Sequence, residues 1–194
     1  VTLSDFNEKP VTKDGKINKI INGATDWVYE EEFSIHKGFE WSPDGKKLAY
    51  YVFDETDVKE FQMKMYGSLY PTHYKFKYPK AGEDNSLISI RIFDTQYDRY
   101  FVFDVGNNPD IYIPRIMWSK RRDELIVFKM NRLQNKLELL SGTFSMDTPN
   151  NIGIRTKPIY TENSTTYIDI HDTTSFINEN EFIWTSEKDG TNHI

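Results

Sequence analysis

The sequence contains no cysteine, which excludes disulfide bonds and thiolate chemistry without identifying a cellular compartment. It also lacks any apolar run near the roughly 20 residues that a membrane-spanning helix needs. Acidic residues outnumber basic ones, with 30 Asp and Glu against 24 Lys and Arg, and the net charge is −6. No basic patch is evident, so nucleic acid is not an expected partner.

Two kinds of active-site sequence are missing as well. No Gly-x-Ser-x-Gly occurs, and because Gly67-Ser68-Leu69 lacks the second glycine, no catalytic residue is assigned in this chain. The four histidines are far apart and show no ligand spacing. They are expected at the surface or in packing positions, and neither a metal nor a cofactor is predicted.

The composition is that of a folded domain, with 15% aromatic and 28% charged residues. A length of 194 residues suggests one domain or part of a larger one. The sequence begins at Val1 without a methionine and ends in the strand-like Asn192-His193-Ile194. We therefore expect a segment of a longer protein.

A recurring layout of aromatic residue, polar turn and apolar strand predicts the fold. It occurs at 39–52, around the turn Pro43-Asp44-Gly45, and returns at 116–128 and 175–184. Further hairpins are expected between these copies, pairing 90–94 with 100–104 and 136–140 with 155–160. Two hairpins per period make a four-stranded unit, and repeated four-stranded units are typical of propeller blades.

Residues 1–194 are thus predicted to be all-β, a partial β-propeller of about two and a half four-stranded blades. The first two copies are further apart than the second and third, and residues 54–78 are interpreted as an arm inserted into the first blade. A plain β-sandwich would not explain the recurring layout. Two local expectations are a hairpin between 1–4 and 9–12 and core positions for Trp41, Trp118 and Trp184.

The most unusual stretch is Asp26-Trp27-Val28-Tyr29-Glu30-Glu31-Glu32. Acid runs usually lie on solvated faces or near a helix start. Here they follow Trp27 and Tyr29, which prefer partly buried places, so at least one carboxylate is expected to point into a lined cavity. Like-charged neighbours there repel each other and lose hydration unless a cation meets them. The stretch is placed on a single helical turn or loop and predicts a site for a cation.

This stretch resembles the β-propeller domain of dipeptidyl peptidase IV, a family in the prolyl oligopeptidase group of serine peptidases. The resemblance runs from about Asn22 to Asp94, with weaker support through Trp118 and 184–190. Its specific element is the spacing of the aromatic pair and the triple acid. The other matching segments are Trp41-Ser42-Pro43-Asp44-Gly45, Leu48-Ala49-Tyr50 and Tyr78-Pro79-Lys80-Ala81-Gly82.

The resemblance implies that Glu31 and Glu32 project into a central cavity and bind the free α-amine of a peptide, while Glu30 faces elsewhere. Trp27 and Tyr29 would support them, and Ser34 would line the second subsite. The implied activity is release of N-terminal Xaa-Pro or Xaa-Ala dipeptides by Ser, Asp and His of a C-terminal α/β-hydrolase domain. Because that domain lies outside 1–194, this segment alone is expected to be inactive.

The resemblance also implies a homodimer formed through the 54–78 arm, and a bacterial periplasm or cell exterior as the compartment. The family's pocket uses an Arg from a loop after this region, but 167–172 offers none. The rival interpretation is a non-catalytic propeller that binds proteins, with the acids on a rim. An aminopeptidase or an oligopeptidase of the same group is a third possibility.

Overall fold

The computed structural model describes residues 4–148 and 151–194, which form antiparallel sheets and a short helix. In chain order the elements are β1 (Ile20–Asn22), α1 (Trp27–Phe33), β2 (Phe39–Trp41), β3 (Lys47–Asp54), β4 (Glu60–Met65), β5 (Thr72–Lys77), β6 (Leu87–Asp94), β7 (Arg99–Phe103), β8 (Ile111–Trp118), β9 (Glu124–Asn131), β10 (Lys136–Thr148), β11 (Asn151–Asn163), β12 (Ser175–Phe176) and β13 (Phe182–Ile183). The predicted all-β class is confirmed.

The first large sheet has the order β1-β3-β6-β7, and β2 also pairs with β3. Its best-predicted part is the β2–β3 hairpin, where Gly45 adopts a φ of 70° and donates its N–H to the Ser42 carbonyl at 2.8 Å. Glycine reaches positive φ without steric cost, which is why Pro43-Asp44-Gly45 turns the chain here. The predicted pairing of 90–94 with 100–104 is confirmed as β6–β7.

The second large sheet has the order β11-β10-β9-β8, and β12 and β13 form a short two-stranded sheet after it. The predicted hairpins at 116–128 and at 136–160 are confirmed, as is the third copy of the layout at β12–β13. Strands β1 and β2 pair with successive parts of β3, so each large sheet is four strands wide. Two such antiparallel sheets followed by the start of a third are the strand arrangement of consecutive propeller blades.

The core lies between the sheets, and strand β9 contributes side chains to a core cluster on each of its two faces. Leu125 and Val127 of this strand pack in the cluster shared with the first sheet. The intervening Ile126 and Phe128 pack in a second cluster, together with Trp184 from beyond β13. Because successive side chains of a strand point to opposite faces, a sheet buried on both faces needs a continuous apolar run. The sequence Leu125-Ile126-Val127-Phe128 supplies it.

The 54–78 arm forms a two-stranded sheet of its own, in which β4 pairs with β5. All six residues of β4 are exposed, and the hairpin closes where the Tyr78 N–H donates to the Lys59 carbonyl at 3.0 Å. Several large apolar side chains of the arm face solvent. They are Phe61, Met63, Met65, Tyr66, Leu69, Tyr70 and Tyr74.

The predicted hairpin between 1–4 and 9–12 is wrong where it can be described, because 9–12 form no strand and residues 1–3 lie outside the described residues. The segment lies instead against the first sheet. Lys9 forms an ion pair of 2.7 Å with Asp98, and the Tyr100 hydroxyl donates to the Val11 carbonyl. These contacts join residues about 90 positions apart, so no local turn signal could reveal them.

The expectation of a core position is wrong for Trp41, a residue that is 48% exposed. Trp41 ends β2, which among the described strands pairs with β3 alone and so lies at the edge of its sheet. Trp118 and Trp184 are partly buried and pack against the clusters. The indole N–H of Trp118 donates to the Glu40 carbonyl at 3.0 Å, which ties the second sheet to the first.

Candidate functional site

The acidic stretch lies in an excursion from the edge of the first sheet. Strands β1 and β2 pair with successive parts of β3, and residues 24–37 leave the sheet between them. The two ends of the excursion are both hydrogen-bonded to Tyr51, and we call this closure the neck. The Gly23 N–H donates to the Tyr51 carbonyl, and the Tyr51 N–H donates to the Gly38 carbonyl, both at 2.9 Å.

Helix α1 occupies this excursion and begins at a buried carboxylate. Asp26 is the N-cap, and its Oδ1 accepts the Tyr29 N–H at 3.0 Å. Its Oδ2 accepts the Ser86 hydroxyl at 2.7 Å, which attaches the helix start to the segment before β6. Burial raises the pKa of Asp26, although both hydrogen bonds favour the charged form. The sequence predicts a single turn or loop, whereas this cap supports a seven-residue helix.

Replacing Asp26 by asparagine is expected to stabilise the protein increasingly as pH rises above about 4 and through the folded-state pKa of Asp26. A raised folded-state pKa favours the protonated fold, so the contribution of Asp26 is complete below the unfolded value of about 3.9 and is lost as pH rises through the folded pKa. Asn retains the cap and cannot ionise. Asp26→Ala removes both hydrogen bonds and is expected to cost about 2 kcal/mol. Urea denaturation at several pH values measures the free energy of unfolding of both variants. A difference between Asp26→Asn and wild type that does not change with pH would contradict the raised pKa of Asp26.

The inner face of α1 is anchored in the core. Tyr29 is 2% exposed, and its hydroxyl accepts the Ile113 N–H of β8 at 2.9 Å. Burial raises the pKa of this hydroxyl, which keeps it neutral. Phe33 packs beside Tyr29 with ring centroids 5.2 Å apart. Tyr29 can therefore act on a ligand only through the helix that it holds.

The outer face of α1 carries the three glutamates, all of which are exposed. Within residues 4–148 and 151–194, neither Glu31 nor Glu32 has a hydrogen-bond or ion-pair partner for its carboxylate. Trp27 meets Tyr78 at the base of the arm, with ring centroids 4.4 Å apart. The two carboxylates are thus open to a cation from outside this chain.

A cavity of about 290 Å³ adjoins the end of the helix, and Glu32 is one of its lining residues. A second cavity, also of about 290 Å³, lies on the far side of Ser34. Ser34, Arg115 and Asp172 line both cavities and so form the partition between them. Ser34 is the C-cap of α1 in the left-handed conformation, with a φ of 54°.

The partition is organised by the Arg115 guanidinium. Its Nε donates to Asp172 Oδ1 at 2.6 Å, and its Nη1 donates to the Phe33 carbonyl at 2.8 Å. The hydrogen bond from Arg115 lowers the pKa of Asp172, so this carboxylate remains charged. Sequence reasoning missed Arg115. The signal that could have found it is Pro114, because proline within a strand marks a bulge.

A cavity of about 520 Å³ lies elsewhere, and its lining includes none of the predicted site residues. It opens near the base of the arm and is lined by Asp54, Asp57, Asp84, Asp110 and Arg132, among others. Arg132 pairs with Asp110 at 3.2 Å. Over the part of the chain that the structure covers, no group of three or more His, Asp or Glu side chains has the arrangement of a metal site.

The structure thus brings Glu32 and Ser34 to one cavity, with Glu31 exposed on the same helix. It places Trp27 against the arm and Tyr29 in the core. None of the helices in 4–148 and 151–194 has the length and hydropathy to span a membrane.

Comparison with known proteins places this chain in a family. Residues 2–194 match the family described as "Dipeptidyl peptidase IV (DPP IV) N-terminal region". Venom dipeptidyl peptidase 4 of Vespa velutina is 36% identical over 148 residues, which are 70% of this chain and 19% of that protein. Human prolyl endopeptidase FAP is 46% identical over 92 residues, or 46% of this chain and 12% of that protein.

A solved structure extends the similarity to nearly the whole chain. The dipeptidyl peptidase 4 of Porphyromonas gingivalis superposes with a TM-score of 0.88 at 38% identity, over 98% of this chain and 26% of that one. This agreement confirms the propeller segment inferred from the strand order. The chain spans only 19% and 26% of the venom and bacterial relatives. The match over 2–194 nevertheless shows that the chain belongs to the dipeptidyl peptidase IV N-terminal region family.

Proposed function

We propose that the full-length protein is a serine exopeptidase that releases N-terminal Xaa-Pro or Xaa-Ala dipeptides, and that Glu31 and Glu32 bind the free α-amine of the substrate. The catalytic Ser, Asp and His belong to an α/β-hydrolase domain outside 1–194. The observation that carries the proposal is the pair of exposed, unpartnered carboxylates on a helix anchored at both ends.

The chemistry of the pair suits an ammonium group. A peptide α-amine has a pKa near 8 and is largely cationic at neutral pH. It offers three donors, which two carboxylates can accept as charge-assisted hydrogen bonds. Binding is therefore strongest below the pKa of the amine and weakens as pH rises through it, because the lost proton removes both the charge and a donor.

The fixed position of the pair would also set the cleavage point. Two residues of extended chain span about 7 Å, so an amine held at one end places the second carbonyl at a constant distance. Holding reacting groups in place can supply several kcal/mol of the activation barrier. An internal or blocked peptide has no terminal cation and would leave both carboxylates without a partner.

The test compares substrates on the full-length protein. Gly-Pro-p-nitroanilide with a free amine is expected to be cleaved at least ~100-fold more efficiently than its N-acetyl form, the value of one or two charged hydrogen bonds. The human relative is named a prolyl endopeptidase, so equal cleavage of both forms is a real alternative and would reject the exopeptidase assignment. Absence of cleavage of either form would favour a non-catalytic interaction module.

For the arm we propose contact with a second copy of the protein. The exposed apolar side chains of β4 and β5 and of the turn between them support this role, since such a surface is costly to leave in water. Because Lys59 and Tyr78 are hydrogen-bonded and Lys77 Nζ donates to the Thr56 and Val58 carbonyls, residues 60–76 can be excised and the ends joined by a short glycine linker. The shortened full-length protein is expected to sediment as a monomer with unchanged thermal stability. A dimer that survives the excision contradicts the proposal.

As the compartment we propose the periplasm or exterior of a bacterial cell. The support is the similarity to a solved bacterial dipeptidyl peptidase 4 across nearly the whole chain. Fractionation of cells that express the full-length protein tests this, and recovery in the cytoplasmic fraction alone contradicts it.

A further inference from the structure

Strand β8 is irregular beside helix α1. Its pairing with β9 shifts register between Tyr112 and Arg115, so Ile113 and Pro114 have no partner in the ladder. Pro114 has no N–H to donate, and Ile113 is fully buried. Buried backbone groups need partners, and here two tyrosines supply them. The Tyr29 hydroxyl accepts the Ile113 N–H, and the Tyr51 hydroxyl donates to the Ile113 carbonyl at 3.1 Å.

The same irregular segment holds the other end of the helix through Arg115. The last carbonyls of any helix have no partner within it, and Phe33 is the last residue of α1. Arg115 Nη1 donates to the Phe33 carbonyl at 2.8 Å and to the Pro114 carbonyl at 2.6 Å. A cation at a helix C-terminus is also favoured by the helix dipole. Residues 112–115 of the second sheet therefore hold α1 at Tyr29 and at Phe33.

Asp172 fixes the guanidinium that makes these bonds. This residue lies in the segment leading to β12, so the ion pair brings a third part of the chain to the helix end. The Arg115 side chain is 23% exposed and Asp172 76%, which places the pair at the rim of the cavities rather than in the core. Glu31 and Glu32 lie within the last three residues of the same helix.

We propose that Arg115 is a positioning residue for the amine-binding carboxylates. It acts by fixing the C-terminal end of α1, and with it the direction in which Glu31 and Glu32 face the substrate. The inference rests on the proposed amine-binding function of this pair. Like-charged neighbours repel each other, so a helix end without Arg115 is free to separate the two carboxylates and lose the joint contact with one ammonium group.

The test is a double-mutant cycle in the full-length protein between Arg115→Met and the combined change Glu31→Gln/Glu32→Gln. Hydrolysis of Gly-Pro-p-nitroanilide reports amine binding together with chemistry. Hydrolysis of p-nitrophenyl acetate, an ester without an amine, reports the folded hydrolase alone. Arg91→Met is the matched control, because Arg91 also pairs with a distant aspartate, Asp14, but lies on β6 and does not contact α1.

Arg115→Met is expected to lower kcat/KM for the anilide by ~10–100-fold, as a misplacement near 1 Å can do, through a higher KM. Ester hydrolysis and the Arg91→Met variant are expected to stay within about twofold, since neither depends on the position of α1. In the Glu31→Gln/Glu32→Gln background, Arg115→Met is expected to have no further effect, because there is no longer a charged pair to position.

A loss from Arg115→Met that is equally large in the double-Gln background overturns the inference while leaving the amine-binding function intact, and so does no loss at all. If the double-Gln change itself leaves anilide cleavage unaffected, the proposed function fails first and the inference fails with it. Should Arg115→Met reduce ester hydrolysis as well, Arg115→Lys replaces it in the cycle. Lysine keeps the charge but cannot hold three acceptors in a fixed fork, so an intermediate loss confined to the anilide is expected.

Discussion

Replacing Gly38 by alanine is expected to destabilise the protein by about 3 kcal/mol, at the upper end of overpacking costs. A Cβ at this position would lie 2.6 Å from the Ala24 carbonyl oxygen and 2.8 Å from the carbonyl carbons of Gly23 and Ala24. These are backbone atoms, so no side-chain rotation can relieve the contact. Gly38 is needed because the chain that returns from the α1 excursion passes against the chain that enters it.

The matched control is Gly153→Ala in β11, where a Cβ would meet nothing within 4 Å. This change is expected to alter the free energy of unfolding by less than about 0.5 kcal/mol. Calorimetry of the full-length protein measures both variants. Because the Tyr51 hydrogen bonds that close the neck lie beside Gly38, the folded fraction of Gly38→Ala is also expected to lose selectivity for free-amine substrates. Equal free energies of unfolding for Gly38→Ala and Gly153→Ala would contradict this prediction, because the two chain segments at the neck could then move apart at no energetic cost.

Glu31→Gln and Glu32→Gln are each expected to lower kcat/KM for Gly-Pro-p-nitroanilide by ~10–100-fold, and together by ~1,000-fold or more. Glutamine has nearly the shape of glutamate and keeps one acceptor oxygen, so the change removes the charge without opening a cavity. The loss reflects the charged part of each hydrogen bond to the amine, which is about twice as strong as its neutral counterpart. The loss in kcat/KM is expected chiefly as a higher KM, because the amine is bound in the ground state as well as in the transition state.

Glu30→Gln is the matched control for the pair. Glu30 precedes Glu31 on the same helix and is likewise exposed, but it lies in the first turn of α1. Among the described residues that line the cavity at the end of α1, Glu32 is present and Glu30 is not, so Glu30 lies farther from the proposed amine site. Its substitution is expected to leave kcat/KM within about twofold, the usual range for an exposed side chain that contacts no substrate. Equal losses from all three substitutions would show that only the general negative charge of the helix matters.

The strands were predictable from the sequence where local chemistry determines them. Pro43-Asp44-Gly45 specifies a turn by its own backbone preferences. The run Leu125-Ile126-Val127-Phe128 specifies a strand buried on both faces. The length of helix α1 was underestimated, because the helix is stabilised by the Asp26 cap. The Asp26 side chain is held in turn by a hydrogen bond from Ser86, a residue 60 positions away in the sequence.

The candidate site was predictable only in part, for a similar reason. The acid run with its preceding aromatic residues indicated where a cation could bind, and Glu32 does line a cavity. The sequence did not show that Trp27 would turn to Tyr78 or that Tyr29 would serve the β8 irregularity. Neither did it reveal Arg115, whose contacts with Phe33 and Asp172 span 82 and 57 positions. Such contacts depend on how the sheets are placed side by side, which no local pattern encodes.

The central claim is that Glu31 and Glu32 together bind a free α-amine. Isothermal titration calorimetry tests it most directly, with the dipeptide Gly-Pro and its N-acetyl derivative binding to full-length wild type and to the Glu31→Gln/Glu32→Gln variant. The wild type is expected to bind the free dipeptide at least ~100-fold more tightly than the acetylated one, and the variant to bind the two within a few-fold. A variant that keeps the wild-type preference for the free amine would contradict the claim, because the amine would then be recognised by other groups.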